Sequence, residues 1–205
     1  MLMSGSWHIY RPGERWQQPA ANMRIVIETS DFVAVGFNVP LAEMHTEQSM
    51  ARDRRIPPVA SDVLGRGFDE DSAMERLLSL GDMELGEALL RQKALAGVGN
   101  VFKSEICFAA RLNPFRRVVS LTRGQLSEIV SIARRQLADN VLEDSDDRIV
   151  TYRGGRRTTR RSDPGEGHWV YGRTGQTCRR CGELICSRLQ GADARATYWC
   201  PQCQR

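Results

Sequence analysis

Residues 88–108 read ALLRQKALAGVGNVFKSEICF. Apolar residues recur at three- and four-residue spacing on both sides of Ala96-Gly97-Val98-Gly99-Asn100, which predicts two helices joined by a glycine turn. Glycines at 97 and 99 let the backbone reverse without Cβ clashes and come close to another molecule. Asn100 then stands where a helix N-cap belongs, with VFKSE opening the second helix. The first amides of that helix lack intrahelical partners, and together with the helix dipole they make an anion site. Lys103, one turn in, adds positive charge. An ordinary helix corner without a ligand also fits two glycines, so this segment alone leaves the choice open.

The same periodicity extends on both sides. SAMERLLSL, ELGEALLRQKAL, VFKSEICFAARL and TRGQLSEIVSIARRQLADNV predict a small helical domain over 61–147, with Ser72 and Thr122 as N-caps and an acidic exit at 143–147. Upstream, SWHIY, MRIVIET and FVAVGFN read as three strands separated by the turn signals RPGE and TSD. They predict a β segment over 1–38, followed by a charged, proline-interrupted linker over 39–60 that contains RDRR and IPPV. Residues 148–175 form an Arg- and Gly-rich loop and connection, aperiodic over 151–168.

Four of the six cysteines form Cys178-x2-Cys181, then eighteen residues, then Cys200-x2-Cys203. Two C-x2-C turns at this spacing aim four sulfurs at one point, the pattern of a four-thiolate zinc site. Gly182 and Pro201 supply the turn chemistry. ELICSRLQ and ARATYW read as two short strands between the knuckles, so residues 176–205 are expected to be a β-hairpin finger holding one structural Zn2+. Four thiolates leave no open position for water, so the metal is expected to take no part in chemistry. Cys107 falls in an apolar helical pattern and reads as core; Cys186 receives no role.

The 205 residues are 41% hydrophobic and 26% charged, a globular composition that excludes a wholly disordered chain. No apolar stretch is long enough to cross a bilayer. The opening MLMSGSWHIYRPGERW has no charged-then-apolar leader, so a cytoplasmic protein without disulfides is expected. Charge is unevenly divided. Residues 148–205 hold 12 Arg, no Lys and 4 acidic residues, whereas residues 1–147 hold 17 basic and 21 acidic ones. An Arg-rich end on an acidic remainder points to a polyanionic partner, since guanidinium groups fit phosphate and base edges. A solvated basic tail is the plainer alternative.

LLRQKALAGVGNVFKSE resembles the helix–two-turn–helix motif of the formamidopyrimidine-DNA glycosylase / endonuclease VIII family. VYGRTGQTCRRCGELICSRLQGADARATYWCPQCQ resembles that family's zinc finger, and MSGSWHIYRPGERW resembles the middle of its N-terminal β domain. The resemblance runs through essentially the whole chain and is nearest to the endonuclease VIII-like bacterial members. It implies an α+β multidomain fold: a partial β-sandwich, a helical middle domain and a zinc hairpin. It also implies base-excision repair of duplex DNA containing a damaged base or an abasic site. Oxidised bases, pyrimidines above all, would be extruded and cut from the sugar, and the backbone then broken by elimination. The partner is double-stranded DNA, with no membrane contact, and the protein acts as a monomer.

By the resemblance, Asn100 matches the family's phosphate-contacting asparagine, with Gly97, Gly99 and Lys103 around it. Arg195, five residues before Cys200, matches the fingertip arginine. Met3 falls where the family inserts an apolar wedge into the gap left by the flipped base. Arg173 in VYGR could reach phosphate. Each has a structural alternative: a helix end for Asn100, a solvated tip for Arg195, a strand residue for Met3. The family's nucleophile is an N-terminal proline amine followed by a glutamate, with a lysine upstream of the wedge. None of these has a match here, so no catalytic residue is assigned and the chain is expected to be N-terminally truncated. A non-catalytic damaged-DNA-binding module is the alternative function, and a zinc-ribbon adaptor for protein or RNA a third.

Overall fold

The structure, a computed structural model, describes residues 5–53, 59–141, 149–152 and 167–205. It divides into two compact units, 1–55 and 56–205. Met3, the acidic exit at 143–147 and most of the loop expected over 151–168 lie outside the described residues.

The first unit is a three-stranded antiparallel sheet of β1 (Ser6–Tyr10), β2 (Met23–Glu28) and β3 (Val33–Phe37), in the order β1-β3-β2. Alternation sorts the side chains by face. His8, Val35 and Val26 share one row across the sheet, and Trp7, Gly36 and Ile25 share the next, which faces the other way. Tyr10, Val35 and Phe37 make a small core on the first face, packed by Trp16, Met23, Val26 and Val33. The opposite face is apolar as well, and Trp7, Ile9 and Ile27 stay more than half exposed. The segment expected to be a plain linker contains a short helix, α1 (Glu47–Arg52). Thr46 and Ser49 close a capping box at its start, which explains why the chain coils there despite the surrounding charge.

The second unit holds α2 (Glu70–Leu78), α3 (Leu85–Leu89), α4 (Asn100–Ala109), α5 (Arg123–Val141) and the hairpin β4 (Cys186–Gln190) and β5 (Arg195–Trp199). Its core joins Leu77, Leu85, Leu89, Leu95, Ile106, Leu126 and Ile129, all fully buried. Thr122 caps α5 as expected, exchanging bonds with Gln125. Two caps differ. Asp69, not Ser72, begins α2, its carboxylate accepting the Ser72 amide at 2.8 Å. Gly99, not Asn100, is the N-cap of α4, and Asn100 is its first helical residue. The helix expected over 84–95 stops at Leu89. Its continuation is captured by tertiary pairing: the Ala96 amide donates to the Ser61 carbonyl and the Val63 amide to that of Ala96.

Helix α4 is enclosed on every side, since all seven residues Phe102–Phe108 are buried. Glu105 is among them. Its carboxylate accepts the successive amides of Trp169, Val170 and Tyr171, each at 2.9 Å, and the Thr151 hydroxyl at 2.5 Å. A buried carboxylate is tolerable only when its oxygens are satisfied in this way. Replacing Glu105 by Ala removes the acceptor of three successive amides, that of Val170 buried and those of Trp169 and Tyr171 half-buried, so a loss of about 2 kcal/mol or more in unfolding free energy is expected from denaturant titration. A loss under about 1 kcal/mol would show that water replaces the carboxylate.

Candidate nucleic-acid interface

The turn before α4 is held from inside. Gln92 Nε2 donates to the Val98 carbonyl at 2.9 Å, and its Oε1 accepts the Gly97 amide at 3.1 Å. Sequence reasoning missed Gln92, because a polar residue on a helix gives no sign that it will reach forward across a turn. Gly97 has φ +102°, which side-chain-bearing residues rarely adopt. Gly99 differs: its φ of −102° suits any residue, and a Cβ built on it would meet no atom within 4 Å. The amides of Asn100, Val101 and Phe102 then open the helix with no acceptor among the described residues, as a helix start leaves them. The Asn100 side-chain oxygen is buried and has no partner among those residues.

Two of the expected contact residues point inward. Lys103 is fully buried, and its Nζ donates to the Ala196 carbonyl of β5 at 3.3 Å. The expectation that it lends its charge to an anion at the turn is therefore corrected: the side chain runs into the body of the unit. Burial lowers its ammonium from 10.5 to about 8; the Cys107 thiol opposes this and the neighbouring Arg195 adds to it. Arg173 is also buried. Its guanidinium donates to the carbonyls of Trp169 (2.6 Å) and Thr177 (2.9 Å) and to the Gln176 side chain (3.0 Å), so it braces the entry to the hairpin rather than reaching a phosphate. Cys107 is core as expected, and burial pushes its thiol up to about 12, which leaves it inert.

Arg195 opens β5 directly after the turn Gly191–Ala194, where Gly191 and Ala194 take positive φ. It is partly exposed, and its guanidinium makes no hydrogen bond or ion pair among the described residues. Its partner across the hairpin is Gln190. Gln190 is buried against the helical block, donating through Nε2 to Glu84 (2.8 Å) and to the Pro114 carbonyl (2.9 Å) while its oxygen accepts the Thr197 hydroxyl. Gly86 makes room for it, because a Cβ there would land on the Gln190 oxygen.

The four expected cysteines converge. Their sulfurs lie within 4.8 Å of one another, with Cys181–Cys200 at 3.4 Å and Cys178–Cys203 at 4.0 Å, and none forms a disulfide. A tetrahedron with metal–sulfur bonds of about 2.3 Å has edges of about 3.8 Å, so the cluster fits one metal ion. The Gly182 amide returns to the Cys178 carbonyl and the Gln204 amide to that of Cys200, which closes both knuckles. Arg180 Nη1 reaches the Phe108 carbonyl and stacks over the Phe108 ring, tying the first knuckle to the end of α4. Cys186 lies apart from the cluster.

Residues 59–149 match the formamidopyrimidine-DNA glycosylase helix–two-turn–helix domain model. Over its whole length the chain is 36% identical to a probable endonuclease 8 2 of Streptomyces coelicolor, covering 70% of that protein. It is 35% identical to the DNA-(apurinic or apyrimidinic site) lyase Nei2 of Mycolicibacterium smegmatis, covering 73%. The chain belongs to the formamidopyrimidine-DNA glycosylase / endonuclease VIII family. The family's fold is matched across the full chain by MutM bound to DNA containing carbocyclic 8-oxo-G (TM-score 0.71, 22% identity, 72% of that chain covered). Lactococcus lactis Fpg bound to abasic-site DNA gives a TM-score of 0.69 at 21% identity, with 73% covered. Among the described residues of this family member, no helix is long and apolar enough to cross a membrane.

Lys103 carries a signature in stability. An unfolded lysine titrates near 10.5 and the folded one near 8, so between these values the unfolded state binds more protons and the folded state gains stability as pH rises. Urea unfolding of the parent and of Lys103→Met should show their difference moving in the parent's favour from pH 8 to 10.5 and flat below pH 7. A difference that does not change with pH would place the ammonium in water.

Proposed function

We propose that residues 1–205 serve base-excision repair as the duplex-gripping part of a DNA glycosylase and abasic-site lyase of the endonuclease VIII type, acting on oxidised bases, pyrimidines in particular. The observation that carries this reading is the bond from Lys103 to Ala196. That bond ties the strand that Arg195 opens to the helix that begins at Asn100, within one compact unit, which supports a shared grip by the helix start and the fingertip. Orphan amides at the helix start take phosphate oxygens, and Asn100 adds a side-chain amide whose donor and acceptor ends exchange by a half-turn. Gly99, with open space where a side chain would stand, lets the backbone of the duplex close on those amides. The free guanidinium of Arg195 takes a second position on the same strand. Gly97 supplies the turn; Lys103 and Arg173 act inside the protein.

The four cysteines hold one Zn2+ in this reading. The ion neutralises thiolates that could not otherwise share the space, and it braces the hairpin that carries Arg195. The family's nucleophilic amine and its glutamate are carried over to no residue of this sequence, so no catalytic residue is assigned within it. In the cytoplasm the partner is duplex DNA bearing a damaged base or an abasic site, engaged by a single copy of the chain.

Binding of an abasic-site duplex should fall steeply with salt, and Asn100→Ala and Arg195→Ala should each weaken it about tenfold, Arg195→Ala also lowering the salt slope by about one. Equal affinity of both variants and the parent would overturn the reading. Borohydride added to the complex should trap no covalent adduct on residues 1–205; a trapped adduct would reveal a reactive amine in this sequence. A zinc chelator should erase the signals of the hairpin, Trp199 included, while the helical circular dichroism persists. Hairpin signals that survive complete metal removal would refute the structural role of zinc.

A further inference from the structure

The fingertip turn is tethered at both ends. On the β4 side, Gln190 is buried and bonded to Glu84 and to the Pro114 carbonyl. On the β5 side, the carbonyl directly after Arg195 accepts the Lys103 ammonium, and two residues further the Tyr198 amide donates to the Ser104 hydroxyl at 3.3 Å. Two successive residues of α4 therefore hold alternate residues of the strand that Arg195 begins. A fully buried ammonium is costly, and hairpin docking alone does not call for one at this place, since the apolar and glutamine contacts already fix the hairpin to the block. What the ammonium adds is specific to its neighbour. It fixes the backbone at Ala196, the residue that directly follows Arg195 in the strand.

We propose that Lys103 is a positioning residue for Arg195: it contacts no DNA, and it sets the backbone and direction from which the fingertip arginine meets the duplex. The proposal rests on the reading above that Arg195 binds DNA. An arginine held in its bound geometry loses less freedom on binding than one on a loose tip, so the tether acts on affinity only through the guanidinium.

The test is a double-mutant cycle on the metal-loaded chain, with affinity for an abasic-site duplex measured for the parent, Lys103→Met, Arg195→Ala and the double variant. Methionine keeps the buried volume and removes the charge, a change that buried ion sites commonly tolerate. Lys103→Met should weaken binding about fivefold when Arg195 is present and have no effect in the Arg195→Ala background, with zinc content and cooperative melting retained throughout. Should Lys103→Met fail to melt cooperatively, Lys103→Gln, which keeps a donor in the pocket, replaces it in the same cycle with the same expected pattern. An undiminished loss in the Arg195→Ala background, or no loss when Arg195 is present, would overturn the positioning role while leaving the DNA reading intact. If Arg195→Ala itself binds as the parent does, the underlying reading fails instead.

Discussion

Three consecutive polar residues in the middle of a buried helix organise the second unit. Lys103, Ser104 and Glu105 are all fully enclosed, and each satisfies a different piece of chain. Lys103 takes the Ala196 carbonyl, Ser104 the Tyr198 amide, and Glu105 the amides of residues 169–171 with the Thr151 hydroxyl. Polar groups withdrawn from water must find partners, and directional bonds tolerate little displacement. The helix that opens at the glycine turn thereby dictates where the hairpin sits.

The hairpin has little core of its own. Ile185, Val170, Cys178 and Cys200 are its buried apolar members, joined by Phe108 from α4. A unit this small depends on whatever else ties it down. The cysteine cluster supplies one tie from within. Gln190 and Gln204 supply others, reaching the carbonyls of Pro114 and Leu112. Arg180, between the first two cysteines, stacks on Phe108 and caps its carbonyl. The arginine surplus of the C-terminal third is thus partly structural: Arg173, Arg179 and Arg180 all donate to backbone carbonyls, whereas Arg195 is partly exposed and makes no such bond among the described residues.

Patterns that depend on neighbours in the chain were legible in the sequence. Alternation located the three strands of the first unit within a residue or so, because side chains on a pleated strand must choose between two faces. The spacing of Cys178, Cys181, Cys200 and Cys203 announced their convergence, since a C-x2-C turn can aim its sulfurs only one way. Helix boundaries were less legible. α3 ends early because Ala96 pairs with Ser61, thirty-five residues earlier, and Asp69 displaces Ser72 as the cap because its carboxylate accepts the Ser72 amide.

The amino-acid sequence by itself determined the order of strand, helix and cysteine hairpin, the family, the glycine turn and the four converging thiols, because each is written in residues close together or in rigid spacing. Only the tertiary structure decided which charges serve the surface and which serve the interior. Lys103, Arg173 and Arg195 are alike as letters, yet two are buried against carbonyls and one is not. A long cationic side chain takes its direction from whatever packs around it, and for Lys103 that is a strand more than ninety residues away in the chain.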